Sequence, residues 1–177
     1  QYRNADGGKR PVLFDKNAPR IMTRLQLLDS AGRGVKTRNA VSKQVRFNMP
    51  VVAVNETKPA AETSLFPAVI EVFAGENFIH SYRRLQTAPD GPERPCAVEV
   101  GLKKDRLDLL FTGTAPEVSH TVAGENGFRA AARFARISLA AGRPVGAALA
   151  EGTEVSGHGI SLRLARANIE AKVAQAD

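Results

Sequence analysis

Cys96 is the only cysteine of the chain, and His80, His120 and His158 are its only histidines. A cysteine nucleophile needs an imidazole beside it in space to raise its thiolate fraction. Cys96 follows Pro95 and enters an alternating run with Val98 and Val100, so its spacing fits a small buried hydrophobe better. His158 lies in the string Ser156-Gly157-His158-Gly159. Flanking glycines would let a ligand approach the backbone closely there, with the imidazole free to shuttle a proton or hold an anion. His120 falls on the polar side of the alternating run 118–122. Asp105 and Asp108 flank Arg106 and look more like a charged turn than paired carboxylates for acid–base work.

Other chemistries are poorly served. One cysteine makes no intrachain disulfide and no thiolate metal cluster, and the histidines form no i, i+4 pair with carboxylates grouped beside them. The glycine patterns that cradle phosphates or dinucleotides, and the nucleophile elbow of serine hydrolases, are missing. No cofactor is expected. A small enzyme with a site around His158, His120 and Cys96 is the alternative to a binding protein.

Charge is the stronger signal. Residues 1–48 hold 11 Lys/Arg against 3 Asp/Glu, a net of +8; residues 49–127 hold 7 against 11, or −4; residues 128–177 hold 7 against 4, or +3, which together make the +7 of the whole chain. A basic segment joined to a mildly acidic body is the pattern of an arm or face that meets a polyanion. The expected phosphate contacts are Lys9, Arg10 and Lys16 on the arm, Arg33, Lys36, Arg38 and Lys43 around a turn, and Arg24 and Arg46 on a hairpin face. Arginine outnumbers lysine 17 to 8, which suits the forked recognition of phosphate. Tryptophan is absent and the basic segment carries only Tyr2, Phe14 and Phe47 as aromatics, so a base-stacking platform is thin.

The elements that would position these residues follow from periodicity. Residues 1–19 lack any and form an extended basic arm, with 20–177 as one globular domain. Residues 20–29 and 41–49 both alternate, and the glycine-rich 30–34 between them suggests a β-hairpin with Arg24, Gln26, Gln44 and Arg46 on its solvent face. Residues 67–73 are nearly all apolar, as in a strand covered on both sides, and 97–102 with 106–112 make a second alternating pair. Phe78, Tyr82 and Leu85 have helical spacing behind Asn77 as a cap, although a strand serves 78–87 almost as well.

The last third is alanine-rich. Asn126 as cap and Gly142 as stop predict a helix over 128–141 with an Arg129, Arg133, Arg136 stripe, and Pro144 predicts a short second helix over 145–150. Residues 160–173 fit either element. The string A-G-E-N occurs at 74–77 and again at 123–126, which suggests a duplicated strand–turn–helix unit around 67–85 and 116–134.

The expected fold is therefore α+β: a β-rich sandwich or barrel-like core with C-terminal helices. With 43% hydrophobic and 24% charged residues the composition excludes a disordered tail, a collagen-like repeat and a disulfide-framed miniprotein. No apolar run is long enough for a transmembrane helix. The leading expectation is a non-enzymatic binding or assembly subunit, such as a shell or virion-type structural subunit. Its basic arm and first hairpin would contact a polyanion, most plausibly nucleic acid, with self-association. The chain begins at Gln1; a leader ahead of it would favour an exported accessory domain that binds a protein, a glycan or an anionic membrane surface.

Overall fold

The computed structural model describes residues 21–28, 34–41, 48–55, 66–89, 95–167 and 171–173. Within them the chain forms thirteen strands: β1 Ile21–Leu27, β2 Gly34–Val41, β3 Asn48–Asn55, β4 Ala68–Ala74, β5 Ile79–Leu85, β6 Thr87–Ala88, β7 Cys96–Leu102, β8 Arg106–Thr112, β9 His120–Val122, β10 Arg129–Ala140, β11 Arg143–Gly157, β12 Ile160–Arg163 and β13 Ala171–Val173. All strand pairs are antiparallel. Nine strands form one sheet in the order β12-β11-β10-β8-β7-β5, with β13 also beside β11, and with β9 beside β10 and β6 beside β9. β1 pairs with β4, and β2 with β3, as two separate two-stranded sheets nested in the sequence.

The expected α+β class is thus overturned: the described residues contain no helix. The predicted helix over 128–141 is strand β10, and the one over 145–150 lies within β11. The cause is a break in phase. Core-facing residues fall at 130 and 132, then at 135, 137 and 139, with Arg133 and Phe134 both exposed between them. That three-residue step mimics helical spacing; the register shift beside it, between Ala131 and Ala132, puts its extra residue, Thr153, in β11. Gly142 is no helix stop either. Ala141 (φ 48°) and Gly142 (φ 75°) both take positive φ between Ala140 and Arg143, the two-residue hairpin turn whose twist matches its strands. Residues 78–87 are also extended, and in 160–173 the described part is β12 followed by β13.

The predicted first hairpin is re-paired as well. β1 lies against β4, running Ile21↔Ala74 to Leu27↔Ala68, while Val41 and Met49 belong to the β2–β3 pair. The two A-G-E-N strings share a turn, since Gly75 and Gly124 both have φ 78°, but strands rather than helices follow both. In the second string, Asn126 and Gly127 take positive φ and the turn leads from β9 back along β10.

Two apolar clusters hold the sheet. The larger lies on one face and contains Leu85, Leu109, Phe111, Phe128, Ile137, Leu149 and Val155, all buried. The smaller lies on the other face of β7 through Cys96, Val98 and Val100, and reaches Ile79 of β5 and Leu28 and Val69 of the β1–β4 ribbon. β7 is therefore covered on both sides, as its nearly continuous burial shows. The ribbon packs on the sheet through this second cluster.

Candidate interaction surfaces

Arg24 carries the join between ribbon and sheet. Its guanidinium lies 2.6 Å from Glu71 Oε2 as an ion contact off the hydrogen-bonding axis, and it donates to the Ile79 carbonyl at 2.6 Å. Glu71 has no side-chain exposure, whereas Arg24 keeps 37%. The second Glu71 oxygen accepts the Phe78 and Ile79 amides at 2.7 and 2.8 Å. Burial alone would raise the Glu71 carboxyl; the Ile79 and Phe78 amides and the Arg24 charge outweigh it and hold the pKa below the usual 4.5. Gln26 is buried beside this pair. With its amide assigned from the surrounding donors and acceptors, its nitrogen donates to Tyr82 Oη at 2.9 Å and its oxygen accepts from Arg24 Nε at 2.6 Å.

The ribbon is consequently inverted relative to the sequence expectation. Arg24 and Gln26 share the sheet-facing side with Met22, Val69 and Phe73, while Ile21, Leu25, Ile70 and Val72 face outward. Ile21, Leu25, Ile70 and Val72 are 77, 41, 66 and 58% exposed. The pairings Leu25↔Ile70, Thr23↔Val72 and Ile21↔Ala74 place them on one surface. Alternation alone cannot tell which side of a strand meets the core, and here a buried Glu71 selects the polar side. The available signal was that acid, set in the middle of the apolar run 67–73.

Of the other expected phosphate contacts, Lys36 is exposed on β2 opposite Ala53, and Arg38 occupies the position paired with Val51. Lys9, Arg10, Lys16, Arg33, Lys43 and Arg46 lie outside the described residues, as do the 1–19 arm and Gln44. On the body, Arg129, Arg133 and Arg136 are exposed as a strand stripe rather than a helical one.

The candidate enzyme residues occupy three separate places. Cys96 is buried in the smaller cluster. His120 is buried on β9 with its ring 5.7 Å from that of Phe111. His158 (φ 51°) and Gly159 (φ 85°) form the two-residue turn between β11 and β12. The His158 amide donates to the Asn126 carbonyl at 3.1 Å, so the two strings singled out in the sequence meet as one turn docked on another. Asp105 (φ 53°) is an exposed turn residue, and Asp108 is half-buried on β8. Among the described residues no group of His, Cys, Asp or Glu is placed to hold a metal ion.

No protein-family model, curated protein or solved structure matches this chain. Its own surfaces carry the functional reading. Acidic partners lie beside several of the body's cations. Arg83 makes a bidentate pair with Glu99 at 2.8 and 2.6 Å and a further contact with Glu125 at 2.7 Å. The hydrogen bonds to Glu99 raise the Arg83 pKa above the usual arginine range against its partial desolvation, and Glu125 adds to them. Lys103 pairs with Glu76 at 2.5 Å, Arg133 with Glu151 at 3.2 Å, and Arg163 with Glu154 at 3.2 Å. No described helix is long and apolar enough to cross a membrane.

Proposed function

We propose that this protein is a non-enzymatic binding or assembly subunit whose basic N-terminal quarter contacts a polyanion, with nucleic acid the partner its arginine-rich composition suits best. One observation carries the proposal: residues 1–48 bring 11 cations and only 3 acids. The quarter's own acids can offset only three of these cations, whereas several body cations have acidic partners at hand. Arg24 is already committed to Glu71, so the contact falls to the remaining basic residues of this quarter. Binding of this kind reads phosphate rather than base sequence and weakens steeply with salt.

The test is binding of the full chain to a labelled single-stranded oligonucleotide across a salt series, with and without residues 1–19. Each phosphate neutralised contributes about 0.7 to the slope of log K against log salt. With Arg24 held by Glu71, the seven remaining excess charges set a ceiling of roughly 5. Deleting residues 1–19 removes Arg3, Lys9, Arg10 and Lys16 and should lower the slope by up to about 3. Absence of binding at about 50 mM salt would overturn the nucleic-acid contact.

A further inference from the structure

We infer that the outward face of the β1–β4 ribbon is a self-docking surface, on which a second copy of this chain packs face to face about a twofold axis. The face consists of Ile21, Thr23, Leu25 and Leu27 from β1 beside Ala74, Val72, Ile70 and Ala68 from β4, in register. None of the eight carries a charge, and all but the half-buried Leu27 are exposed. Exposed apolar surface that forms a contiguous patch, rather than scattered single residues, marks an interaction site.

Size and chemistry select the occupant. Seven pairs at about 3.4 Å per residue make a face roughly 24 Å long and two strands wide, on the order of 500 Å² of accessible surface. Two such faces together bury about 1,000 Å², the lower bound for a biological interface and the range of a weak, reversible dimer. A polyanion finds no cation on this face. The N-terminal segment offers a poor cover: residues 1–20 place Val12, Leu13 and Phe14 consecutively among five Lys/Arg and two prolines, so they cannot present an alternating apolar strip. A second copy presents the same flat, uncharged, β-branched surface, and a twofold axis makes it self-complementary. Two ribbons stacked at the small angle set by their twist would interdigitate these side chains as the layers of a β-sandwich do.

The proposal is independent of the polyanion contact, because the measurement is made without nucleic acid. The molar mass of the full chain is followed by analytical ultracentrifugation from about 1 to 100 μM in about 0.5 M salt, where surface charge is screened. The wild type should move from monomer to dimer. Ile70→Glu and Ile70→Lys should each weaken the dimer by at least about tenfold, with the thermal midpoint of the monomer unchanged because Ile70 belongs to neither buried cluster. Mixing the two variants should restore a dimer by pairing opposite charges across the axis. A wild type that stays monomeric at about 100 μM would overturn the proposal. So would a dimer that persists in both variants, or variants that lose monomer stability instead of mass, which would mean that the chain's own segments cover the face.

Discussion

Gly152→Ala tests the backbone geometry on which the sheet depends. Gly152 pairs with Ala132 just after the β10–β11 register shift, next to Glu151 at φ 46°. A Cβ at this position would collide with Ala132 Cβ and come within 2.5 Å of the Ala131 carbonyl oxygen and 2.6 Å of Ala132 Cα. These atoms are backbone or fixed to it, so no rotamer change relieves the contact and the two longest strands must separate. Overpacking of this kind costs typically about 1–3 kcal/mol, and a rigid obstacle belongs near the top of that range. For a chain of this size about 3 kcal/mol lowers the melting temperature by roughly 6–12 °C. The assay is thermal unfolding followed by far-ultraviolet circular dichroism, with Gly142→Ala as the control. Gly142 has φ 75°, but a Cβ there would point into open space with no atom within 4 Å. Alanine at 142 therefore meets only the left-handed backbone penalty of about 1 kcal/mol, or about 2–4 °C. A Gly152→Ala protein as stable as the Gly142→Ala protein would refute the close approach of β10 and β11.

Further outcomes follow from the same contacts. Phe111→Ala or Phe128→Ala removes a fully buried ring from the larger cluster and should destabilise the fold by about 3–5 kcal/mol in urea unfolding. The depressed Glu71 and Glu76 carboxyls contribute stability that is present above the usual carboxylate pKa and lost as pH falls through their lower folded values. Unfolding free energy should therefore stay level from neutral pH down to about 5 and fall below that. Glu71→Gln should flatten this acid limb, and an unchanged limb would remove Glu71 from the account. Arg24→Ala leaves Glu71 buried against two amides with its cation gone, and should speed hydrogen exchange in 21–28 and 68–74 ahead of β10 and β11. Equal protection in both regions would show that the pair does not fasten the ribbon.

The sequence was most legible where one period ran unbroken. Residues 97–102 and 106–112 alternate cleanly, and they are β7 and β8, paired Leu102↔Arg106 as a hairpin. It misled where the period breaks, as at Arg133 and Phe134 of β10, or where turn residues serve two structures. Alanine has the highest helix propensity of any residue, but propensity is a weak prior that tertiary pairing overrides. β10 makes that override possible through cross-strand pairs along nearly its whole length with β11 on one side, and with β8 and β9 on the other. The decisive local clue was Asn126-Gly127, a dipeptide that signals a hairpin more strongly than Asn126 alone signals a helix cap. Ala141-Gly142 and His158-Gly159 repeat the same device.

The candidate surfaces divide along the same line. Net charge is a sum over residues, so the basic quarter could be read without knowing any contact. The apolar face could not, because its existence depends on the ribbon's orientation, which a single buried acid decides. Were Arg24 and Gln26 turned to solvent as alternation first suggests, Ile21, Leu25, Ile70 and Val72 would be core, and the outward side would carry Arg24, Gln26 and Glu71 among Met22, Val69 and Phe73. Glu71 reverses this by taking two amides from the start of β5, groups it can reach only from the sheet-facing side. One carboxylate thus fastens the ribbon to the sheet and leaves the ribbon's uncharged side facing outward. Restoring an apolar residue at that position should loosen both effects together. Glu71→Leu should release the Phe78 and Ile79 amides, weaken the ribbon's protection from hydrogen exchange and reduce dimerisation in the same protein, whereas Ile70→Glu should reduce dimerisation alone. If Glu71→Leu leaves the dimer intact, orientation of the ribbon and self-docking are not coupled through this residue.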